Sequence, residues 1–144
     1  GGLANGRGLI AAMAFGAQGV WMGTRFIASK EARAHDNYKN KIVETDTAGT
    51  LITRAHSGKT CRLIRNAFTE KWSGREAEIE PYPLQAMNVG HPASLIGRIE
   101  GDVENGVLPA GQSSGLIDDV LSANDIVQSV VAEAQSALSK LPAR

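Results

Sequence analysis

Two glycine-bearing turns near the start of the chain constrain its fold more than any other feature. They are Gly1-Gly2-Leu3-Ala4-Asn5-Gly6-Arg7-Gly8 and Met22-Gly23-Thr24, separated by a small-residue apolar stretch and a short β-type run. Glycine lacks Cβ, so at Gly1 and Gly2 an anion can approach the main chain directly. Gly23 and Thr24 offer further N–H donors and a hydroxyl, and a helix N-terminus adds roughly half a positive charge. The pair therefore reads as a phosphate cradle. The competing reading is a close-packed turn, in which glycine serves only to let backbone pass backbone, and the sequence leaves both open.

The surrounding pattern suggests where such turns sit. Gly8 to Ala17 is an almost uninterrupted apolar run, which predicts a helix buried on most sides. Gly16 and Gly19 stop it before Val20-Trp21-Met22, which reads as a short buried strand. Helix, tight turn and strand make half a βαβ repeat. In a (β/α)8 barrel, phosphates are often held by the loops after strands 7 and 8 and by a short helix N-terminus. The expected fold class is thus α/β, the C-terminal part of such a barrel, with residues 1–144 as the last βα units and a helical extension. A whole barrel takes roughly 250 residues. The glycine pair at residue 1 has no strand before it, so the expectation is a fragment that is marginal and inactive by itself.

Further along, Arg25 to Ser29 reads as a helical turn and Tyr38 to Glu44 as an amphipathic surface helix. Thr50–Thr53 and Cys61–Ile64 flank the turn Ser57-Gly58-Lys59-Thr60, so a hairpin is the simplest join. Asn66 to Trp72 is a predicted helix. Leu84 to Gly101 is predicted to be helical in parts, interrupted by His91-Pro92 and Gly97, and Gly106 to Gln112 to be a loop or short strand. Ser122-Ala123-Asn124-Asp125 resembles a helix start. After it, Ile126, Val127, Val130, Val131, Ala134, Ala137, Leu138 and Leu141 form one apolar stripe, expected to pack against outer helices.

Charge and composition exclude several function classes. Fifteen basic and fifteen acidic residues cancel, so no net field favours nucleic acid or an anionic membrane. No window has the roughly 18 apolar residues of a membrane span. One cysteine, Cys61, rules out an internal disulfide and a multi-cysteine zinc site, and with it goes the expectation of a reducing, cytoplasmic setting. Gly58-Lys59-Thr60 ends like a nucleotide-binding loop, but the glycine needed five residues earlier is Thr53. His35, His56 and His91 lack metal-type spacing and read as surface or loop residues. Glu76, Glu78 and Glu80 read as a solvated edge, while Arg62 and Arg65 are candidates for a phosphate contact or, more simply, an ion pair.

Three segments together resemble a known family. Gly1-Gly2-Leu3-Ala4-Asn5-Gly6-Arg7-Gly8, then Gly16-Ala17-Gln18-Gly19-Val20-Trp21-Met22-Gly23-Thr24-Arg25-Phe26, and later Ala110-Gly111-Gln112 with Gly115-Leu116-Ile117, resemble the C-terminal half of nitronate monooxygenases, formerly 2-nitropropane dioxygenases. Thr53-Arg54-Ala55, Arg65-Asn66 and Pro83-Leu84-Gln85 extend the likeness along the chain. The resemblance implies an FMN-binding barrel, with the FMN phosphate held by Gly2 and by Trp21, Met22, Gly23 and Thr24. Many members carry Gln where this chain has Trp21. A backbone contact survives that change, whereas a side-chain contact is not carried over. The implied chemistry is oxidation of an alkyl nitronate, a small-molecule substrate, by flavin and O2. The family's catalytic histidine would lie before Gly1, so no catalytic residue is assigned here. Flavin-dependent NAD(P)H:quinone reductases and flavin-type enoyl-ACP reductases share these phosphate turns, so the turns do not choose the substrate. A non-catalytic domain with merely structural turns is the remaining alternative.

Overall fold

The computed structural model describes residues 1–141 and has a mixed α/β architecture. Helix α1 (Gly6–Ala14) starts at Asn5, whose side chain accepts the Gly8 N–H at 3.0 Å and so satisfies one of the free donors of the first turn. A single turn, α2 (Thr24–Ile27), follows an irregular stretch. Helix α3 (Asp36–Glu44) lays Tyr38 and Ile42, four residues apart, into the core. Strands β1 (Thr50–Thr53) and β2 (Cys61–Ile64) pair antiparallel in the expected hairpin, with Thr50 opposite Ile64 and Thr53 opposite Cys61. Helix α4 (Ala67–Lys71) begins with a reciprocal cap, the Asn66 side chain taking the Thr69 N–H and the Thr69 hydroxyl taking the Asn66 N–H.

Two apolar clusters fill the interior, and β2 separates them. Successive side chains of a strand point to opposite faces. Ile64 accordingly enters the cluster of Ala28, Tyr38, Ile42, Leu108 and Ile117, while Leu63 enters that of Ala55, Phe68, Ile79, Ala93 and Val107. The same alternation places Val107 and Leu108 on opposite sides. Their segment runs beside β2, with Ile64 N–H donating to the Leu108 carbonyl at 3.0 Å and Leu63 bridged to Pro109.

The region 86–100 is continuously helical rather than interrupted. Helix α5 (His91–Leu95) lies between two wide-turned π segments, Ala86–Gly90 and Ile96–Glu100. Pro92 lies within this continuous run and has no N–H to give the ladder, and just before it the His91 N–H reaches the Ala86 carbonyl through the wider turn. Gly90 and Gly97 face the neighbouring backbone so closely that a Cβ would stand 2.0 Å from the His56 carbonyl oxygen and 3.0 Å from Gly106. Gly101, with φ +83, ends the run.

Helix α6 (Ala123–Ser139), capped by the Ser122 side chain accepting the Asp125 N–H, packs across α1. The crossing is tight at Gly6, where a Cβ would lie 2.4 Å from both Ala134 N and the Val130 carbonyl oxygen. Glu133 reinforces it by accepting the Gly6 N–H at 2.7 Å and pairing with Arg7 Nε at 3.1 Å. Two sequence expectations need correction here. Only Ile126 and Ala134 of the apolar stripe are buried; Val127, Val131, Leu138 and Leu141 are exposed, because the stripe is wider than the strip that one crossing helix covers. Helix α1 is likewise largely open rather than buried on most sides, since α6 grips it mainly at the Gly6 end.

Val20-Trp21-Met22 is not a strand. A parallel strand needs hydrogen-bonded neighbours, and none of the described residues pairs with these three. Trp21 is 89% exposed. Among the described residues, no helix is long and apolar enough to cross a membrane.

Candidate functional site: the glycine turns

Gly1 and Gly2 lie exposed just before α1, and Gly2 has φ +81, a conformation that side chains other than glycine disfavour. Trp21 and Met22 lead irregularly into Gly23, the residue before α2. At Gly1, Gly2 and Gly23 an added Cβ would meet no atom within 4 Å. That separates them from the packed glycines, although Gly16, Gly19 and Gly74 are as open. Gly6, Gly90 and Gly106 are each pressed on by backbone, which is the close-packed turn the sequence could not exclude. Gly23 has a φ of −87, which any residue adopts, so neither contact nor conformation within this chain demands glycine there.

The donors around Gly23 fit an anion. Phe26 and Ile27 N–H groups bond back to the Gly23 carbonyl, leaving the earlier amides of the turn outside the helical ladder. Thr24 Oγ1 accepts the Gly111 N–H at 3.0 Å, and a hydroxyl that accepts still has one proton to donate. No protein acceptor takes that proton among the described residues. Because α2 is only one turn long, its macrodipole is slight, and the individual N–H and O–H groups must supply the attraction. The two nearby arginines do not. Arg7 is paired with Glu133, and Arg25 with Asp119 at 2.9 Å, along a cleft of about 360 Å³ between α1, α2, residues 115–121 and α6.

Other residues singled out from sequence have structural partners. Arg62 donates to the Thr50 hydroxyl at 3.0 Å across the hairpin rather than forming an ion pair. Glu78 pairs with Arg75 at 2.6 Å, and Glu80 accepts from Asn88. Lys59 lies 3.8 Å above the Tyr82 ring, which accounts for the false nucleotide-binding signature as a hairpin tip. His35 caps α3 by accepting the Asn37 N–H. His56 is half-buried, 3.3 Å from the Ser94 hydroxyl, and burial, with Arg98 and His91 nearby, holds its pKa below the ordinary histidine value. His56 and His91 are therefore neighbours in space, which their spacing in sequence concealed. Gln112 opens the 3₁₀ turn Gln112–Leu116 and is exposed.

The Gly111–Thr24 and Asp119–Arg25 contacts join residues 87 and 94 positions apart, and no local signal announces them. The resemblance noted above did quote Thr24 and Arg25 in one segment and Gly111 in another, without linking them.

Comparison with known proteins is decisive on family. The model of the nitronate monooxygenase family matches residues 1–133. The chain belongs to the nitronate monooxygenase family. Probable nitronate monooxygenases of Staphylococcus aureus and Staphylococcus saprophyticus are 35% and 34% identical, over 91% and 97% of this chain. The chain spans only 36% and 39% of their length. Among solved structures, FabK from Thermotoga maritima superposes with a TM-score of 0.83 at 40% identity, over 97% of this chain and 44% of that one. Nitroalkane oxidase from Streptomyces ansochromogenes gives a TM-score of 0.84 at 28% identity, over 99% of this chain and 40% of that one.

Proposed function

We propose that the protein carrying this chain is an FMN-dependent nitronate monooxygenase, and that Gly1, Gly2, Trp21, Met22, Gly23 and Thr24 form the phosphate end of its cofactor site on the last units of a (β/α)8 barrel. The observation that carries the reading is Gly23, where neither contact nor conformation requires glycine, beside a Thr24 hydroxyl whose proton no acceptor takes among the described residues. Trp21 and Met22 contribute main chain only. When bound, the flavin supplies the redox chemistry, taking electrons from an alkyl nitronate and passing them to O2. This chain's own part is to anchor the phosphate by neutral donors of its main chain and the Thr24 hydroxyl. The setting we infer is cytoplasmic, and the chain alone, lacking any assigned catalytic residue, does not turn over nitronate.

A reductase is the second reading. The fold match to FabK is within 0.01 in TM-score of that to nitroalkane oxidase, and the identity to FabK is higher, so fold does not choose the substrate. Two measurements on the complete protein decide these points. Gly23→Val puts a branched side chain into the open space and should abolish most FMN content, read by flavin absorbance after purification; full occupancy would refute the site. Nitronate turnover without NADH supports the first reading, and NADH oxidation with a quinone or enoyl acceptor supports the second.

A further inference from the structure

Two adjacent residues of the second glycine turn are tied to one later segment. Thr24 accepts the Gly111 N–H, and the Arg25 guanidinium donates to the Asp119 carbonyl at 2.7 Å, to the Asp119 carboxylate at 2.9 Å and back to the Ala28 carbonyl at 3.0 Å. The 3₁₀ turn Gln112–Leu116, between those anchor points, packs on α2. The Arg25 side chain is only 7% exposed, and its Nε is buried without an acceptor. An orphaned buried donor is costly, and a buried ion pair is weak evidence for stability. Geometry is what the arrangement supplies. A planar guanidinium bonded in two directions at once fixes the orientation of the backbone that bears it.

We propose that Arg25, held by Asp119, is the positioning residue of the phosphate turn, and this rests on the reading that Gly23 and Thr24 hold the FMN phosphate. Arg25 acts on the turn rather than on the phosphate, because both of its terminal nitrogens are committed to Asp119 and Ala28. It sets the rotation of α2, and so the direction in which the Thr24 hydroxyl proton and the amides beside it point. Loosening it removes recognition of the phosphate and spares whatever holds the flavin ring.

The test compares FMN with riboflavin, which lacks the phosphate, on the complete protein stripped of cofactor, by fluorescence titration. The parent should bind FMN far more tightly. Asp119→Ala, at a residue whose side chain is half exposed, and Arg25→Lys, which keeps the charge but loses the planar fork, should each cut the FMN-to-riboflavin affinity ratio at least tenfold, with riboflavin affinity within threefold of the parent. Asp119→Asn keeps an acceptor oxygen and should restore most of the ratio. A merely structural role would weaken both ligands together and leave the ratio unchanged, and that result overturns the proposal. A parent that binds both flavins equally refutes the phosphate reading itself; a discriminating parent with equally discriminating variants refutes only the positioning role.

Discussion

Adding one methyl group at Gly6 tests the α1/α6 crossing directly. The Cβ of Gly6→Ala would stand 2.4 Å from two backbone atoms of α6, where ordinary contact begins at 3.4 Å, so the helices must part by about 1 Å. Backbone atoms cannot rotate away as a side-chain tip can. Overpacking of this kind costs roughly 1–3 kcal/mol. The same shift stretches the 2.7 Å bond from the Gly6 N–H to the Glu133 carboxylate, and a hydrogen bond to a charged group contributes about 1.5–3 kcal/mol. Alanine returns at most about 1 kcal/mol through helix propensity. The expected net loss is about 1.5–5 kcal/mol, or roughly 3–20 °C in thermal midpoint at 2–4 °C per kcal/mol. Urea and thermal unfolding of the complete protein measure it. Gly19→Ala is the control, since nothing lies within 4 Å of its Cβ position and its φ is not positive. If Gly6→Ala were within 0.5 kcal/mol of the parent, the close crossing, and with it the seating of α6 on α1, would be wrong.

The α6 face makes a paired prediction: Ile126→Ala, at a side chain 2% exposed, should cost about 2–5 kcal/mol, whereas Val127→Ala, 48% exposed, should stay within about 0.5 kcal/mol in the same denaturation assay. Asn66 caps α4 and also donates to the carbonyls of Val103 and Gly106, so Asn66→Ala should remove about 1 kcal/mol of capping and strand the buried Gly106 carbonyl and the part-buried Val103 carbonyl, for a total near 3 kcal/mol by urea titration; a loss no larger than the cap alone would show those carbonyls to be solvated. His56 titrates below its ordinary value in the fold, so its neutral form is the native one. Stability is then complete above about pH 6.5 and falls as pH drops through the window down to the folded pKa, because the unfolded chain protonates first. His56→Gln should flatten that part of the stability–pH curve, and an unchanged slope would remove His56 from the account.

Local chemistry was sufficient wherever a segment satisfies itself. The hairpin 50–64 follows from β-branched residues on either side of a glycine turn, α3 from its Tyr38/Ile42 spacing, and the start of α6 from Ser122, whose hydroxyl needs only the amide three residues on. The two glycine turns were legible for the same reason, since the absence of Cβ is a property of the residue. Tertiary structure decided what depends on a partner distant in sequence. Val20-Trp21-Met22 has strand composition but no neighbour among the described residues to pair with, so it is irregular chain with Trp21 in solvent. The apolar stripe of α6 is uniform in sequence, and only its crossing with α1 selects Ile126 and Ala134 for burial. Thr24 and Arg25 meet Gly111 and Asp119 across some ninety residues, and a contact closed over that distance leaves no period or spacing in the chain to read.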